Sequence, residues 1–360
     1  MSKYIMRVAV AKVKFSTKVK VLFCGTGHMA SAFINTRENL KDEKDIEVIT
    51  SDDVEKEMKD ATVVIPLMQK ISASLIEASP NLKAIIQFGV GLETVDIEAA
   101  TRANVQVCRI PSREVGNAQA CAEFSVYLLM SVLRNQKAMS LSLTSQRIGF
   151  PTGQTIMGKT ALIIGYGGIG RELALRLKPF QLDKVFVLKR SPLSEKERTN
   201  DPLLIDGTIS EIGYLEEEEQ RNLGKKERGE SFFSRVLPSV DVVFLCCTQN
   251  SQNHGMIDSA FISQLKRGSV VINVSRGKLV NYNDVLIALN SGHLFGFGTD
   301  VFHTEPFPNP KDDLLLSHPN VVATPHVAGV TVVSYVNMAA HLSNNIRRIR
   351  AGLPASGAVN

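Results

Sequence analysis

Three short stretches late in the chain carry side chains suited to acid–base chemistry. Arg276 lies in "VINVSRG", Asp300 and Glu305 in "GTDVFHTEP", and His326 in "TPHVAG". A fixed guanidinium can hold a carboxylate or a carbonyl oxygen. An imidazole can take a hydroxyl proton as hydride leaves the carbon, and a carboxylate can hold that imidazole and support its positive form. Together these are the needs of oxidising a 2-hydroxy acid, or reducing a 2-oxo acid. Singly each has a plainer reading: an arginine capping a strand end, a turn glutamate before Pro306, a hydrogen-bonded loop histidine after Pro325. All three follow apolar strand-like runs, and open α/β sheets place their ligands at strand ends.

Such chemistry needs a hydride carrier, and residues 151–170, "PTGQTIMGKTALIIGYGGIG", hold two overlapping phosphate patterns. Gly153 to Thr160 spells a nucleoside-triphosphate P-loop, while Gly165, Gly167 and Gly170 spell the dinucleotide fingerprint. A P-loop needs a strand before it and a helix after it. Here "GFP" precedes and the strand-like "ALIIG" follows, so that context is inverted. The second motif follows the strand "TALIIG" and opens the helix "IGRELALRLK", with Ile169, Leu173 and Leu177 on one face and Pro179 as its stop. The next strand, "KVFVLKRS", should end on an acid if the cofactor ribose has a free 2′-hydroxyl. It ends instead on Lys189, Arg190 and Ser191, which suit a 2′-phosphate, so NADP(H) is favoured over NAD(H).

The elements that must position these residues read as buried parallel strands alternating with helices. The first set is "VKVLFC", "IEVIT", "ATVVIPL", "KAIIQFG" and "VQVCRI"; the second is "TALIIG", "KVFVLK", "DVVFLCC", "SVVINVS" and "FGFGTDVF". They are apolar throughout, as strands covered on both faces are. The two sets echo each other, which predicts two doubly wound α/β domains. Residues 117–139, free of Gly and Pro, predict a helix long enough to pass between them. Residues 191–238 include "LEEEEQRNLGKKERGESFF" and read as a charged, exposed insertion, partly helical or disordered.

A chain of 360 residues is long enough for two cores. No apolar run approaches the roughly 18 residues of a membrane helix, which argues against a membrane protein. The net charge of +5 is spread along the chain, which argues against nucleic-acid binding. Five cysteines without a C-x-x-C pair suit reduced thiols and a reducing, cytoplasmic compartment. The basic start leaves organelle targeting as the alternative. No metal-ligand pattern is present.

At "QFGVGLETVDIEAA", "CAEFSVYLLMSVLR", "GKTALIIGYGGIGRELALRLKPF", "LKRGSVVINVSRGKLVN", "GFGTDVFHTEP" and "HPNVVATPHVAG" the chain resembles the D-isomer-specific 2-hydroxyacid dehydrogenase family. The resemblance implies two Rossmann-like domains with the active site in the cleft between them. The substrate domain would be residues 1–121 plus 327–360, and the NAD(P)-binding domain residues 122–326. It implies that Arg276 binds and polarises the substrate, Glu305 orients His326, and His326 is the acid/base. The backbone of Gly89, Val90 and Gly91 would cradle the substrate carboxylate. Beside the cofactor would lie Gly165, Gly167, Gly168, Ile169, Gly170, Lys189, Arg190, Cys247, Asn273, Val274, Asp300, His326 and Gly329. The expected substrate is a small 2-oxo or 2-hydroxy acid, glyoxylate/hydroxypyruvate-like or phosphoglycerate-like, and the expected assembly a homodimer. Determinants of substrate size are expected near Met68 to Lys70 and His293 to Phe297. Three departures from the family pattern are Lys189 in place of an acid, "LCCTQN" without the usual proline, and the long 191–238 segment. The alternative reading is a dinucleotide-responsive scaffold similar to the C-terminal-binding corepressors.

Overall fold

The structure is a computed structural model, and residues 18–25, 30–216, 231–305 and 307–360 are described. They form two compact units, one reaching to Pro111 and including Tyr335–Asn360, the other Ser112–Ser334.

The first unit is a sheet of five parallel strands, β1 (Val19–Cys24), β2 (Ile46–Ser51), β3 (Val63–Ile65), β4 (Ala84–Gln87) and β5 (Gln106–Arg109), in the order β2-β1-β3-β4-β5. Every residue of the central strands β3 and β4 is buried, because helices cover both faces of such a sheet. The exposed edge of β5 is closed by the last residues of the chain. Cys108 bridges Ala358 in antiparallel fashion, and the Val107 N–H donates to Asn360 Oδ1 at 2.8 Å, so the edge offers no free ladder.

The second unit has seven parallel strands: β6 (Thr160–Ile164), β7 (Lys184–Lys189), β8 (Glu211–Tyr214), β9 (Val242–Leu245), β10 (Ser269–Asn273), β11 (Leu294–Thr299) and β12 (Val321–Ala323). Their order is β12-β11-β10-β9-β6-β7-β8. The winding reverses between β6 and β9, and a sheet of this kind binds ligands outside the carboxyl ends of its strands at that point. Helix Asn117–Leu133 buries Ala122, Leu128, Leu129 and Val132 in the same core cluster as Ile163, Phe244 and Ile272.

All ten strands read from the sequence are present, and two more appear. β12 is the "VVA" of "HPNVVATPHVAG". β8 lies in the segment expected to be an exposed insertion, and the described part of that segment is structural: it supplies the sheet edge, and Asp201 and Leu203 are buried. Residues 217–230, most of the charged run, lie outside the described residues. The expected 117–139 helix ends at Leu133; Asn135, at φ 53°, turns the chain before a second helix, Gln136–Thr144. The units part at 111/112 and 334/335, where the sequence reading has 121/122 and 326/327. A cut at 121 would divide a continuous helix whose apolar face belongs to one core. All five cysteines are free thiols. Among the described residues no helix is long and apolar enough to cross a membrane.

Candidate active site

The loops after β10, β11 and β12 are each folded around a buried polar side chain. Asn273, fully buried at the end of β10, accepts the Ser275 N–H on Oδ1 at 3.0 Å and donates through Nδ2 to the Arg276 carbonyl at 2.9 Å. That pair of bonds sets the turn carrying Arg276, whose Nη1 donates to the Ser275 carbonyl at 2.8 Å. A Cβ on Gly277 would collide with the backbone of Phe302. Glycine there lets the arginine turn lie directly against the loop that leads to Glu305.

Asp300 follows β11 and is 1% exposed. Its Oδ1 accepts the Thr324 hydroxyl at 2.6 Å and the Val327 N–H at 2.9 Å, and its Oδ2 accepts the Ala328 N–H at 2.7 Å. The carboxylate therefore wraps residues 324–328 around itself, and His326 stands in that loop with a left-handed backbone, φ 56°. Burial raises the Asp300 carboxyl above its ordinary range, opposed by these hydrogen bonds and by the His326 charge. The resemblance puts Asp300 beside the nicotinamide; in the structure both carboxylate oxygens are taken by the histidine loop.

Glu305 and His326, 21 residues apart, meet: Nδ1 lies 2.8 Å from Oε2. The other Glu305 oxygen accepts the Phe302 N–H at 3.1 Å. Burial pushes the Glu305 carboxyl up, but the His326 hydrogen bond and charge, the Phe302 N–H and the Arg276 guanidinium outweigh it and hold it below its ordinary value. Glu305 thus faces both the His326 imidazole and the Arg276 guanidinium. Nε2 of His326 has no partner among the described residues, and the side chain is 37% exposed. Arg276, Glu305 and His326 are brought together at one edge of one sheet. A supporting stack went unread in the sequence: the rings of Tyr282 and His303 lie 3.9 Å apart, Tyr282 donates to the Val301 carbonyl at 3.0 Å, and His303 Nε2 sits 2.7 Å from the Val280 carbonyl. No pattern in the chain announces it.

At the end of β6 a Cβ on Gly165 would strike the Cys246–Cys247 backbone, and one on Gly170 would strike the Gly165 carbonyl. Both glycines are required by close approach. At Gly167 a Cβ would meet nothing within 4 Å, and this residue starts helix Gly168–Leu177 with no side-chain cap. The helix thus opens at its positive end with open room beside Gly167, which fits a pyrophosphate. Gly168 packs near Ser112 and Arg113, Ile169 against the core, and Gly329 against Asn117. Val274 is buried; Cys247 is half-buried, its carbonyl accepting the Ser275 hydroxyl and its thiol pushed up to about 11 by burial. It is therefore a neutral wall rather than a nucleophile. In the P-loop spelling, Gly158 turns the chain into β6, and Lys159 is held by Gln154 Oε1 at 3.0 Å.

Beyond β7, Lys189 Nζ donates to the Ser191 carbonyl at 2.8 Å and Arg190 Nη2 to Gln252 Oε1 at 3.3 Å. The Ser191 hydroxyl donates to Glu216, whose N–H donates to the Arg190 carbonyl at 3.1 Å. A carboxylate from just beyond β8 thus stands beside the end of β7, which the sequence reading lacked. Gly89, Val90 and Gly91 belong to the first unit, half-buried after β4, with Gly89 at φ 142°. Met68 to Lys70 follow β3 in that unit, Met68 exposed. The His293 to Phe297 expectation is corrected: these residues open β11, whose six residues span about 20 Å, so His293 lies at the opposite sheet edge from Asp300. There its Nε2 sits 2.8 Å from the Ile262 carbonyl.

The profile of the D-isomer specific 2-hydroxyacid dehydrogenase NAD binding domain matches residues 126–209 and 206–328, more than half of the chain. The chain belongs to the D-isomer specific 2-hydroxyacid dehydrogenase family. It is 30% identical over 294 residues to D-3-phosphoglycerate dehydrogenase of Bacillus subtilis, covering 81% of this chain and 50% of that one. It is also 30% identical over 301 residues to the enzyme of the same name from Archaeoglobus fulgidus, covering 83% and 51%. The chain therefore spans about half the length of these curated relatives. Among solved structures, an NADPH-dependent glyoxylate/hydroxypyruvate reductase of Sinorhizobium meliloti in complex with NADP and malonate superposes with a TM-score of 0.75 at 22% identity, covering 95% of this chain and 97% of that one. D-lactate dehydrogenase of Escherichia coli superposes at 0.74 with 20% identity, covering 95% and 100%. At these identities the likeness shows the fold.

Proposed function

We propose that the chain is an NAD(P)-dependent oxidoreductase interconverting a small 2-hydroxy acid and its 2-oxo acid. The observation that carries this reading is the 2.8 Å contact between His326 Nδ1 and Glu305, with Nε2 unpartnered among the described residues and Arg276 acting on the same carboxylate. The glycine turn from Gly165 to Gly170 would hold the cofactor, with Cys247, Asn273, Val274 and Gly329 around it. When bound, a reduced nicotinamide supplies hydride to the carbonyl carbon. Arg276 holds the substrate oxygens, and Nε2 of protonated His326 delivers the proton to the carbonyl oxygen. Glu305 balances the imidazolium before that step, and oxidation runs the same path backward. Relatives and neighbours named for phosphoglycerate and for glyoxylate/hydroxypyruvate support small 2-oxo acids as the substrate class.

Lys189 and Arg190 support NADP(H) as the favoured cofactor. The Glu216 carboxylate at the Ser191 hydroxyl favours the second reading, NAD(H), since it can accept a free ribose hydroxyl and would repel a 2′-phosphate. Exposed apolar side chains at Tyr127, Met139, Leu141, Leu143, Ile148 and Phe150 support a homodimer, which sedimentation would check. The activity test follows reduced-nicotinamide absorbance with glyoxylate, hydroxypyruvate and larger 2-oxo acids, each with NADPH and NADH. Turnover with at least one acid is expected. Tight cofactor binding without turnover would shift the reading to the scaffold.

A further inference from the structure

The 191–238 segment places one buried acid beneath the glycine turn. Asp201 is 3% exposed and begins the short helix Pro202–Ile205, its Oδ1 accepting the Leu203 N–H at 3.1 Å. Its Oδ2 accepts the Tyr166 hydroxyl at 2.8 Å and the Arg171 guanidinium. Tyr166 stands between the first two glycines of "GYGGIG", and Arg171 follows the last of them. The Arg171 guanidinium also lies over the Tyr166 ring, 4.1 Å from its centroid. One carboxylate thus grips both the turn and the helix that the turn opens, from 35 and 30 residues away. A carboxylate so buried is costly unless paired and hydrogen-bonded, and this one has three partners. The Tyr166 ring sits in the same core cluster as Leu173, Ala174 and Leu203, so the hydroxyl is the only part of it that a buried acid can hold.

We propose that Asp201 is a positioning residue for dinucleotide binding: through the Tyr166 hydroxyl and Arg171 it holds the glycine turn in its phosphate-accepting shape before the cofactor arrives. The inference rests on the dinucleotide reading of that turn. Gly165 is held by its N–H to the Leu188 carbonyl at 2.8 Å, but Gly167 has no side-chain cap and no neighbour on its Cβ side, so the side-chain tether of the turn comes from Tyr166 and Arg171. A turn ordered in advance loses less freedom when it binds, which strengthens binding without adding a contact. Asp201 itself needs no contact with the cofactor.

Tyr166→Phe tests this, because it removes one hydroxyl and leaves the ring in the core. NADPH and NADH binding is followed by cofactor fluorescence, turnover by absorbance, and exchange of the amides at residues 165–170 by mass spectrometry without cofactor. The cofactor Kd and KM should rise by about five- to tenfold, kcat should move far less, and those amides should exchange faster. Asp201→Asn should act in the same direction and also lower Tm, because it weakens the hold on Arg171. A Tyr166→Phe protein with wild-type cofactor Kd, whatever its Tm, overturns the latch. A wild-type protein that binds neither NADPH nor NADH sinks the dinucleotide reading and the latch with it.

Discussion

In the seven-stranded unit the loops after β10, β11 and β12 are gathered on buried Asn273 and Asp300 and on the Thr324 hydroxyl. In the five-stranded unit the loops after β3 and β4 share one amide, Gln87, whose Nε2 donates to the Leu67 carbonyl at 2.9 Å while its buried Oε1 has no partner among the described residues. Both sheets are parallel, both are covered on two faces, and both end in glycine-bearing turns. The difference is how much polar structure stands behind those turns. A misplacement of about 1 Å can cost a reaction on the order of a hundredfold, so the acid/base role proposed for His326 calls for a loop held this firmly.

The sharpest way to break this comparison is His326→Ala, expected to cut kcat by about 10²- to 10⁴-fold in a protein that still melts cooperatively, its Tm lowered only as far as loss of the Glu305 pairing accounts for. Retained turnover would take His326 out of the acid/base role. Asp300→Asn comes next: an amide accepts on one atom only, so either the Val327 or the Ala328 N–H loses its bond. A loss of about 1–3 kcal/mol in unfolding free energy, together with reduced kcat, is expected from denaturant titration and rate assays. Unchanged stability would mean that the histidine loop is held by something else.

Glu305→Gln separates charge from shape. The folded-state carboxyl of Glu305 is held below its ordinary value of 4.5. Its contribution to stability is therefore present above that value and is lost as pH falls through the lower, folded one. The variant should have the lower Tm near neutral pH, and the two melting curves should draw together as pH falls below 4.5. Curves that stay parallel on acidification would show that the pairing adds nothing to stability. Its kcat should also drop, by roughly tenfold.

The smallest effect is expected in the five-stranded unit. Gly89→Ala puts a side chain at φ 142° with nothing within 4 Å to strike, so it introduces about 1–3 kcal/mol of backbone strain and no collision. A slightly lower Tm with kcat nearly unchanged is expected from melting and rate assays. A loss of kcat equal to that of His326→Ala would erase the distinction between the two sets of loops.

Much of this was legible beforehand because the signals are short-range. Val63 to Ile65 and Ala161 to Ile164 read as buried strands from their unbroken apolar runs. The inverted context around Lys159 was enough to set the P-loop spelling aside. β8 was missed because "EIGY" holds a charge and a glycine and leaves no apolar run, and β12 because its apolar run is only three residues long. Asp201 and Glu216 were hidden among surface-like charges, since nothing local distinguishes a carboxylate that will be buried from one that will not. The same holds for Asp300, which the sequence marks as a site residue while the structure shows it binding Val327 and Ala328.

By itself the sequence determined two parallel α/β sheets, a glycine turn fit for a pyrophosphate, and the residue types for hydroxy-acid chemistry. Periodicity, steric need for glycine and side-chain chemistry act within a few residues of one another. Only the tertiary structure decided that Glu305 meets His326, that Gly277 seats the Arg276 turn against the Glu305 loop, and that Asp201 reaches the glycine turn. Those outcomes depend on which loops share a sheet edge and which carboxylates lose their water, and both are set by strand order and packing across tens of residues.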